Sequence, residues 1–279
     1  MELYTSVSYD LSRRLTNRYS SSFGLSSRLY AKEFKLHIYA IYALVRIADE
    51  IVDTYKGAGA AEFLDSLEHE VYHSMSIGYS TNPIVYAFAL TVNRYGITKE
   101  LIQPFFSSMR LDLSPKEYSP ELYEQYIHGS AEVVGLMCLR VFTDNDTAMY
   151  DALMPAAKAL GSAYQKVNFL RDIGDDYTEL GRIYFPGYTF ETLDEKGKNE
   201  IIDDIRSDFN RAYEGMMQLP VSSRYAVLTS YKYYSSLLGK LEQASIVEIK
   251  TTRVRIPTIK KLFLLGYSIA AARMRMLSK

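Results

Sequence analysis

Gln165 to Asp176 reads QKVNFLRDIGDD, and its two faces decide the fold. Gln165, Asn168, Asp172 and Asp176 follow one another at intervals of four, three and four residues, so they share one stripe of a helix. Ala163, Val167, Leu170 and Ile173 repeat at the same period on the other side, an apolar stripe that a helix must bury. A second stretch, IYALVRIADEIVD (Ile41 to Asp53), repeats the design. There Tyr42, Arg46, Asp49 and Asp53 line one stripe, and Ile38, Ile41, Val45, Ala48 and Val52 line the other. Carboxylates one turn apart on a helix repel by roughly 0.2–0.5 kcal/mol. Finding that arrangement twice, beside a basic residue and inside an apolar helix, calls for a compensating cation.

Outward from these stretches the chain reads as helix after helix. The opening segment, about Ser6 to Tyr19, is weakly amphipathic, and SSSFGLSS (Ser20 to Ser27) reads as a Ser-rich loop. The spacing predicts a long helix from Lys32 to Tyr55, stopped by GAGA, and another from Ala60 to IGYS. Asn82-Pro83 opens the next, which ends at Tyr95-Gly96. Thr98 is the N-cap expected for its successor, which Pro104 should kink or divide. Pro115 and Pro120 bracket a loop before EQYIHGSAEVVGLMCLRVF. Asp144 to Asp146 make a turn, and Pro155 sits near the start of the helix carrying Gln165 to Asp176. After Tyr177, GRIYFPGYTF reads as an ordered loop. Helical periodicity returns over Leu193 to Met217, Ser222 to Glu242 and from Thr258 onward. No strand alternation, fixed-period repeat or Gly/Ser linker is visible. The expectation is one all-α domain, residues 1–279, built as a central helix bundle.

Composition sets the class. Of 279 residues 48% are hydrophobic and 23% charged, which is globular and not disordered. A net charge of −1 argues against an electrostatic nucleic-acid binder. Cys138 is the single cysteine, so no intrachain disulfide forms and a reducing compartment is expected. MELYTSVSYDLSRRL contains no secretory apolar region, and the run Leu262 to Ala272 is too short to span a bilayer. A soluble, cytoplasmic protein is the expectation.

Paired carboxylates are natural ligands of Mg²⁺, which keeps several waters and is often shared with substrate phosphates. If the two acidic helices face each other across a cavity, their aspartates can hold Mg²⁺ on one diphosphate. Arg46, Arg171, Arg182 and Arg253 could supply further donors to phosphate oxygens. Such a site stabilises a departing diphosphate without a protein nucleophile. The carbocation left behind needs a dry, aromatic-lined cavity, and 25 Tyr with 12 Phe can line one. Asp-x-x-x-Asp also occurs at Asp204 and Asp208, within NEIIDDIRSDFNRAYEG, where it reads as a solvated face. Spacing alone therefore leaves both readings open.

In order, SSSF, YALVRIADEIVD, MRLDL, YIHGSAEVVGLM, ALGSAYQKVNFLRDIGDDY, GRIYFP and RVRIP span nearly the whole chain. Together they resemble the squalene/phytoene synthases, the head-to-head trans-prenyltransferases, and most strongly the bacterial phytoene synthases of carotenoid biosynthesis. The resemblance implies an isoprenoid-synthase helical bundle around a central cavity. It also implies Mg²⁺-dependent condensation of two prenyl diphosphates through a cyclopropylcarbinyl diphosphate. With geranylgeranyl diphosphate the product is phytoene; with farnesyl diphosphate it is dehydrosqualene, or squalene where NADPH delivers hydride. By position, the resemblance makes Asp49, Asp53, Asp172 and Asp176 metal ligands, with Asp175 an additional candidate. Arg46, Gln165, Asn168 and Arg253 fall where the family contacts diphosphate, accompanied by Tyr42 and Tyr234. Ser20, Ser22 and Phe23 match its N-terminal substrate-flanking segment. Tyr126-Ile127 replaces a Tyr-Cys pair of many relatives, and SAEVVG (Ser130 to Gly135) replaces Val-Ala-Gly-Thr-Val-Gly. Both changes fall where helices would line the hydrocarbon cavity, so substrate length stays open.

Two other features carry alternatives. His69-Glu70-Val71-Tyr72-His73 is a literal H-E-x-x-H, the signature of a zinc metallohydrolase. No third ligand follows at the usual spacings, and with Phe63, Leu67 and Val71 as the buried face the histidines read as solvated. The segment KKLFLLGYSIAAARMRMLSK reads as a terminal core helix with basic ends, Lys260, Lys261, Arg273, Arg275 and Lys279. Peripheral membrane contact is the alternative there, since the hydrocarbon product would be water-insoluble. Oligomeric state has no sequence signal.

Overall fold

The computed structural model describes residues 1–55, 57–113, 118–181 and 183–277, and the side chains of 21–23, 179–180 and 271–277 lie outside that description. Thirteen helices follow in order among the described residues, with no strand: α1 (Glu2–Tyr19), α2 (Ser21–Ser26), α3 (Lys32–Asp49), α4 (Ala60–Ile77), α5 (Pro83–Tyr95), α6 (Lys99–Leu111), α7 (Pro120–Ile127), α8 (Val133–Thr143), α9 (Thr147–Leu180), α10 (Glu195–Gln218), α11 (Val221–Gln243), α12 (Ile246–Thr251) and α13 (Thr258–Leu277). The 34-residue α9 is the spine, packed on α8, α10, α11 and α12. The other acidic helix, α3, packs on α1, α5 and α8.

The apolar stripes do what their period requires. Ala163, Val167, Leu170 and Ile173 are buried, as are Ile38, Ile41, Ala48 and Val52, with Val45 half-buried. Ends are set by local chemistry. The Asn82 side chain accepts from the N–H groups of Ile84 and Val85, with Pro83 in the first turn, and Gly96 closes that helix at φ 59°. Asp146 caps α9 by accepting from the Met149 N–H.

Several expectations are corrected. SSSFGLSS is not a loop: α2 and a 3₁₀ turn (Ser27–Leu29) occupy it, held by α1 and α11. Ser27, fully buried, donates to the Gly24 carbonyl at 3.0 Å and shares a hydrogen bond with the Tyr39 hydroxyl at 3.0 Å, so tertiary contacts override the turn preference of serine. α6 runs through Pro104 undivided. A Cβ on Gly129 would sit 2.2 Å from the Pro104 carbonyl oxygen, so this segment is pressed against its neighbour and tertiary packing offsets the proline cost of about 3 kcal/mol. The short helix α12 has no counterpart in the periodicity. Phe63 is 54% exposed and lies edge-on to Tyr55; Leu64, Leu67 and Val71 form the buried face of α4. The C-terminal helix is not a core helix throughout. Leu265 and Ser268 of α13 are buried, but Ile259, Leu262, Phe263 and Tyr267 are exposed.

Candidate functional site

Helix α3 does not stay regular to Tyr55. From Glu50 to Tyr55 it widens into a π-turn, so Asp49 ends an α-helix and Asp53 lies in the wider turn. Opposite, α9 carries Asp172 and Asp176 in unbroken α-helix. A Cβ on Gly174, between them, would lie 2.2 Å from the Lys250 carbonyl oxygen. The absence of a side chain there lets α12 seat directly on α9. The extended segment after α12 then brings Arg253 back to the acidic face. Its Nε lies 2.8 Å from Asp172 Oδ1, and a second nitrogen donates to Oδ2 at 3.1 Å. Arg171 also donates to both Asp172 oxygens, through Nε at 2.7 Å.

These walls enclose a cavity of about 620 Å³. Asp49, Asp53, Asp172, Asp176, Arg46, Tyr42, Gln165, Asn168, Arg171, Tyr234, Arg253 and Ser20 all border it. Asp175 does not; its side chain is exposed, one residue off the stripe. Arg182, and the side chains of Ser22 and Phe23, lie outside the described residues.

The electrostatics favour a cation. Burial, then the neighbouring Asp53 carboxylate, push the Asp49 carboxyl up to about 7, against the partial relief of Arg46 3.8 Å away. Arg46 itself pairs with Glu50 and lies over the Tyr19 ring at 4.3 Å. The Asn168 Oδ1 is buried with no hydrogen-bond partner, an acceptor poised at the cavity wall. Among the described residues no three acidic or histidine side chains converge to cage an ion by themselves. Pairs of carboxylates sharing their coordination with phosphate oxygens and water are a donor set that fits Mg²⁺.

The lining also includes the apolar side chains of Leu139, Phe142, Leu153, Met216, Leu219 and Val227. Tyr30 stacks on Phe142 at 5.2 Å. Gly135, Gly161 and Gly215 keep this space open or let its walls meet; a Cβ on Gly161 would lie 2.8 Å from the Ala131 carbonyl oxygen. Cys138 is on this wall, its thiol pushed up to about 12 by burial and so inert. The changed segments Tyr126-Ile127 and SAEVVG do reach the cavity, through Tyr126, Ser130, Ala131, Val134 and Gly135.

Sequence reasoning missed one polar group on the wall. Asp112 is buried and accepts the Tyr126 hydroxyl at 3.0 and 2.8 Å, beside Tyr184, which stacks on Phe169 at 3.9 Å. It lies in MRLDL, but a single aspartate without a periodic partner gave no signal.

The third Asp-x-x-x-Asp is also corrected. Asp204 is exposed, but Asp208 is fully buried between α9 and α10, where Lys166 reaches it at 2.8 Å and Ser162 donates to it at 2.7 Å. Lys166 also pairs with Asp204, and Arg211 with Asp208. His69 and His73 lie exposed on α4, with rings 6.2 Å apart, and the Glu70 carboxylate accepts the Ser80 hydroxyl at 2.6 Å.

Comparison with known proteins gives concordant findings. The squalene/phytoene synthase family profile matches residues 16–260. The phytoene synthase of Arthrospira platensis is 30% identical over 298 residues, covering 96% of this chain and 94% of the relative. The 15-cis-phytoene synthase of Synechococcus elongatus is 30% identical over 286 residues, covering 92% and 91%. A solved dehydrosqualene synthase superposes with TM-score 0.81 at 20% identity, covering 97% of this chain and 98% of that one. A squalene synthase from Alicyclobacillus acidocaldarius superposes with TM-score 0.75 at 21% identity, covering 86% and 95%. The shared fold is the isoprenoid-synthase helical bundle.

Proposed function

The chain belongs to the squalene/phytoene synthase family of prenyltransferases, and from that premise we propose that it joins two geranylgeranyl diphosphates head to head to give phytoene. What supports this reading is that all four aspartates, with Arg46, Asn168 and Arg253, border one cavity whose lining also carries a set of apolar side chains. The 1–279 chain acts as one catalytic unit. Asp49 with Asp53, and Asp172 with Asp176, would hold Mg²⁺. Bound there, Mg²⁺ supplies Lewis acidity and charge neutralisation that make diphosphate a leaving group.

The chain's own residues do the rest. Arg46 and Arg253 donate to phosphate oxygens as carbon–oxygen bond cleavage builds charge on them. Asn168, whose Oδ1 is an acceptor without a partner, would take a hydrogen bond from a water that donates on to the diphosphate. The apolar wall around Phe142, Leu139 and Met216 holds the two hydrocarbon tails side by side and excludes water from the cation. The first cation attacks the double bond of the second substrate and loses a proton, giving a cyclopropylcarbinyl diphosphate and one free diphosphate. That intermediate ionises in turn, releases the second diphosphate, rearranges, and loses a proton to give phytoene. The overall change is redox-neutral.

Incubating the protein with Mg²⁺ and either farnesyl or geranylgeranyl diphosphate, with and without NADPH, and identifying the hydrocarbon tests the reading. Phytoene from the C20 substrate, independent of NADPH, is expected. Dehydrosqualene or squalene as the dominant product would overturn the substrate assignment, and absence of diphosphate release would overturn the reaction.

A further inference from the structure

We propose that Tyr30, stacked on Phe142, is the stop that sets how long a prenyl tail the cavity accepts. This role rests on the proposed condensation for the identity of the tail, and adds to it the residue that selects length.

Helix register fixes the long axis of the cavity. On α9 the lining positions recur every three or four residues, through Leu153, Ala157, Gly161, Tyr164, Asn168 and Asp172, so one stripe of that helix borders the cavity along its length. Charged lining residues on α9 begin only at Arg171. A Cβ on Gly161 would lie 2.8 Å from the Ala131 carbonyl oxygen, and one on Gly135 3.1 Å from that of Ala157, so α8 runs antiparallel to α9. Phe142, seven residues beyond Gly135 on α8, therefore lies past Ala157 on the side of Leu153, away from the acids. On α10, Gly215 presses on Ala156, which puts Met216 at the same level. The cavity thus runs from carboxylates to a closed apolar end.

Tyr30 completes that end. It is buried, lines the cavity, and stacks on Phe142 with ring centroids 5.2 Å apart, while Phe34 backs Phe142 edge-on at 6.4 Å. The main chain beneath the ring is pinned. The Tyr30 N–H donates to the Ser27 carbonyl at 3.3 Å, and the next N–H, that of Ala31, donates to the Ser222 carbonyl at 2.9 Å. Close-packed rings on a tied backbone yield little to five additional carbons, because overpacking forces side chains off their rotamers.

Length agrees with this placement. Leu153 and Asn168 are fifteen residues apart in unbroken helix, which is about 22 Å along its axis. On standard carbon–carbon bond lengths an extended geranylgeranyl tail is roughly 20 Å long and a farnesyl tail roughly 15 Å. With the diphosphate held at the level of Asn168, the longer tail reaches the Tyr30–Phe142 stack and the shorter one stops an isoprene unit before it.

The test compares the full wild-type chain with Tyr30→Ala, Tyr30→Trp and, as a second opening variant, Phe142→Leu, each checked for helical content. Calorimetry with unreactive thiolodiphosphate analogues bearing C15, C20 and C25 tails reads binding, and Mg²⁺ incubations with the matching diphosphates read products. Tyr30→Ala and Phe142→Leu should each raise the preference for C25 over C20 on the order of tenfold, and Tyr30→Trp should raise the preference for C15 over C20 by a similar factor. A C25-to-C20 ratio unmoved in both opened variants, or a wild-type preference in Tyr30→Trp, would overturn the proposal. So would equal weakening of all three tails, the mark of a merely structural tyrosine. The two readings fail separately. Length discrimination in analogue binding without any condensation product would remove the reaction and keep the stop, and product formation with unmoved ratios would do the reverse.

Discussion

Asp172/Asp176 and Asp204/Asp208 share the same spacing, on two helices packed against each other, yet they meet opposite fates. At the α9–α10 interface, Asp208 is sealed from solvent and neutralised by Lys166, with Ser162 satisfying a further lone pair. The compensating cation there belongs to the protein. On the cavity side, Asp172 is likewise paired with the protein's own Arg171 and Arg253, whereas the Asp49 carboxyl is raised by burial and by the neighbouring Asp53, with only partial relief from Arg46. A pair of carboxylates one turn apart is therefore not a metal motif in itself. What separates the two is that one is closed into a helix–helix interface and the other borders a cavity.

The sharpest way to break this contrast is to neutralise each region in turn. Asp49→Asn or Asp172→Asn should lower kcat by roughly 10³-fold while the far-UV spectrum holds, because on the proposed reading a cavity carboxylate acts on substrate charge. Near-normal turnover in either variant would put the cavity acids on the same footing as Asp208. Asp208→Asn should do the reverse. Leaving Lys166 short of its buried partner should cost about 3 kcal/mol in urea unfolding, with kcat of the folded fraction within a few-fold of wild type. A large catalytic loss without destabilisation would contradict that division.

The smallest effect concerns pH. The Asp49 carboxyl is raised from its ordinary 3.8 to about 7 in the folded, metal-free protein. Its contribution to stability is therefore fully present below about pH 4 and is lost as pH rises through 7. Asp49→Asn stays neutral throughout, so it should gain about 1–2 kcal/mol on the wild type at about pH 8, a figure discounted for partial solvent access, and little at about pH 4. Parallel pH profiles of unfolding for the two proteins would show that Asp49 is not under charge strain.

Much of this architecture was legible because two long helices carry strict apolar stripes, and burial follows them almost residue by residue. The four aspartates were legible for the same reason: their spacing places them on the face the stripe leaves free. Failures cluster where tertiary contacts outrank local preference. Serines 26 and 27 look like loop residues, yet both are fully buried, with the Ser27 hydroxyl against the Gly24 carbonyl and Tyr39. Asp208 reads as solvated because Lys166, its partner, is 42 positions away and lies between Gln165 and Val167, where attention goes to the stripe. Asp112 has no periodic companion, and its partner Tyr126 lies on another helix. Phe63 follows helical phase but sits beyond the edge of the covered face, on Tyr55.

The wide turn from Glu50 to Tyr55 makes one acid wall depend on the helix type adopted at one spot. Such a turn holds one residue more than the regular helix needs between the same hydrogen-bonding partners. Drawing those residues into a regular α-helix with none removed would turn all that follows by roughly 100° about the helix axis, the angle of the one surplus residue. Asp53 would swing away from the cavity while Asp49 stayed in place, and half of one acid wall would vanish with every carboxylate still in the sequence.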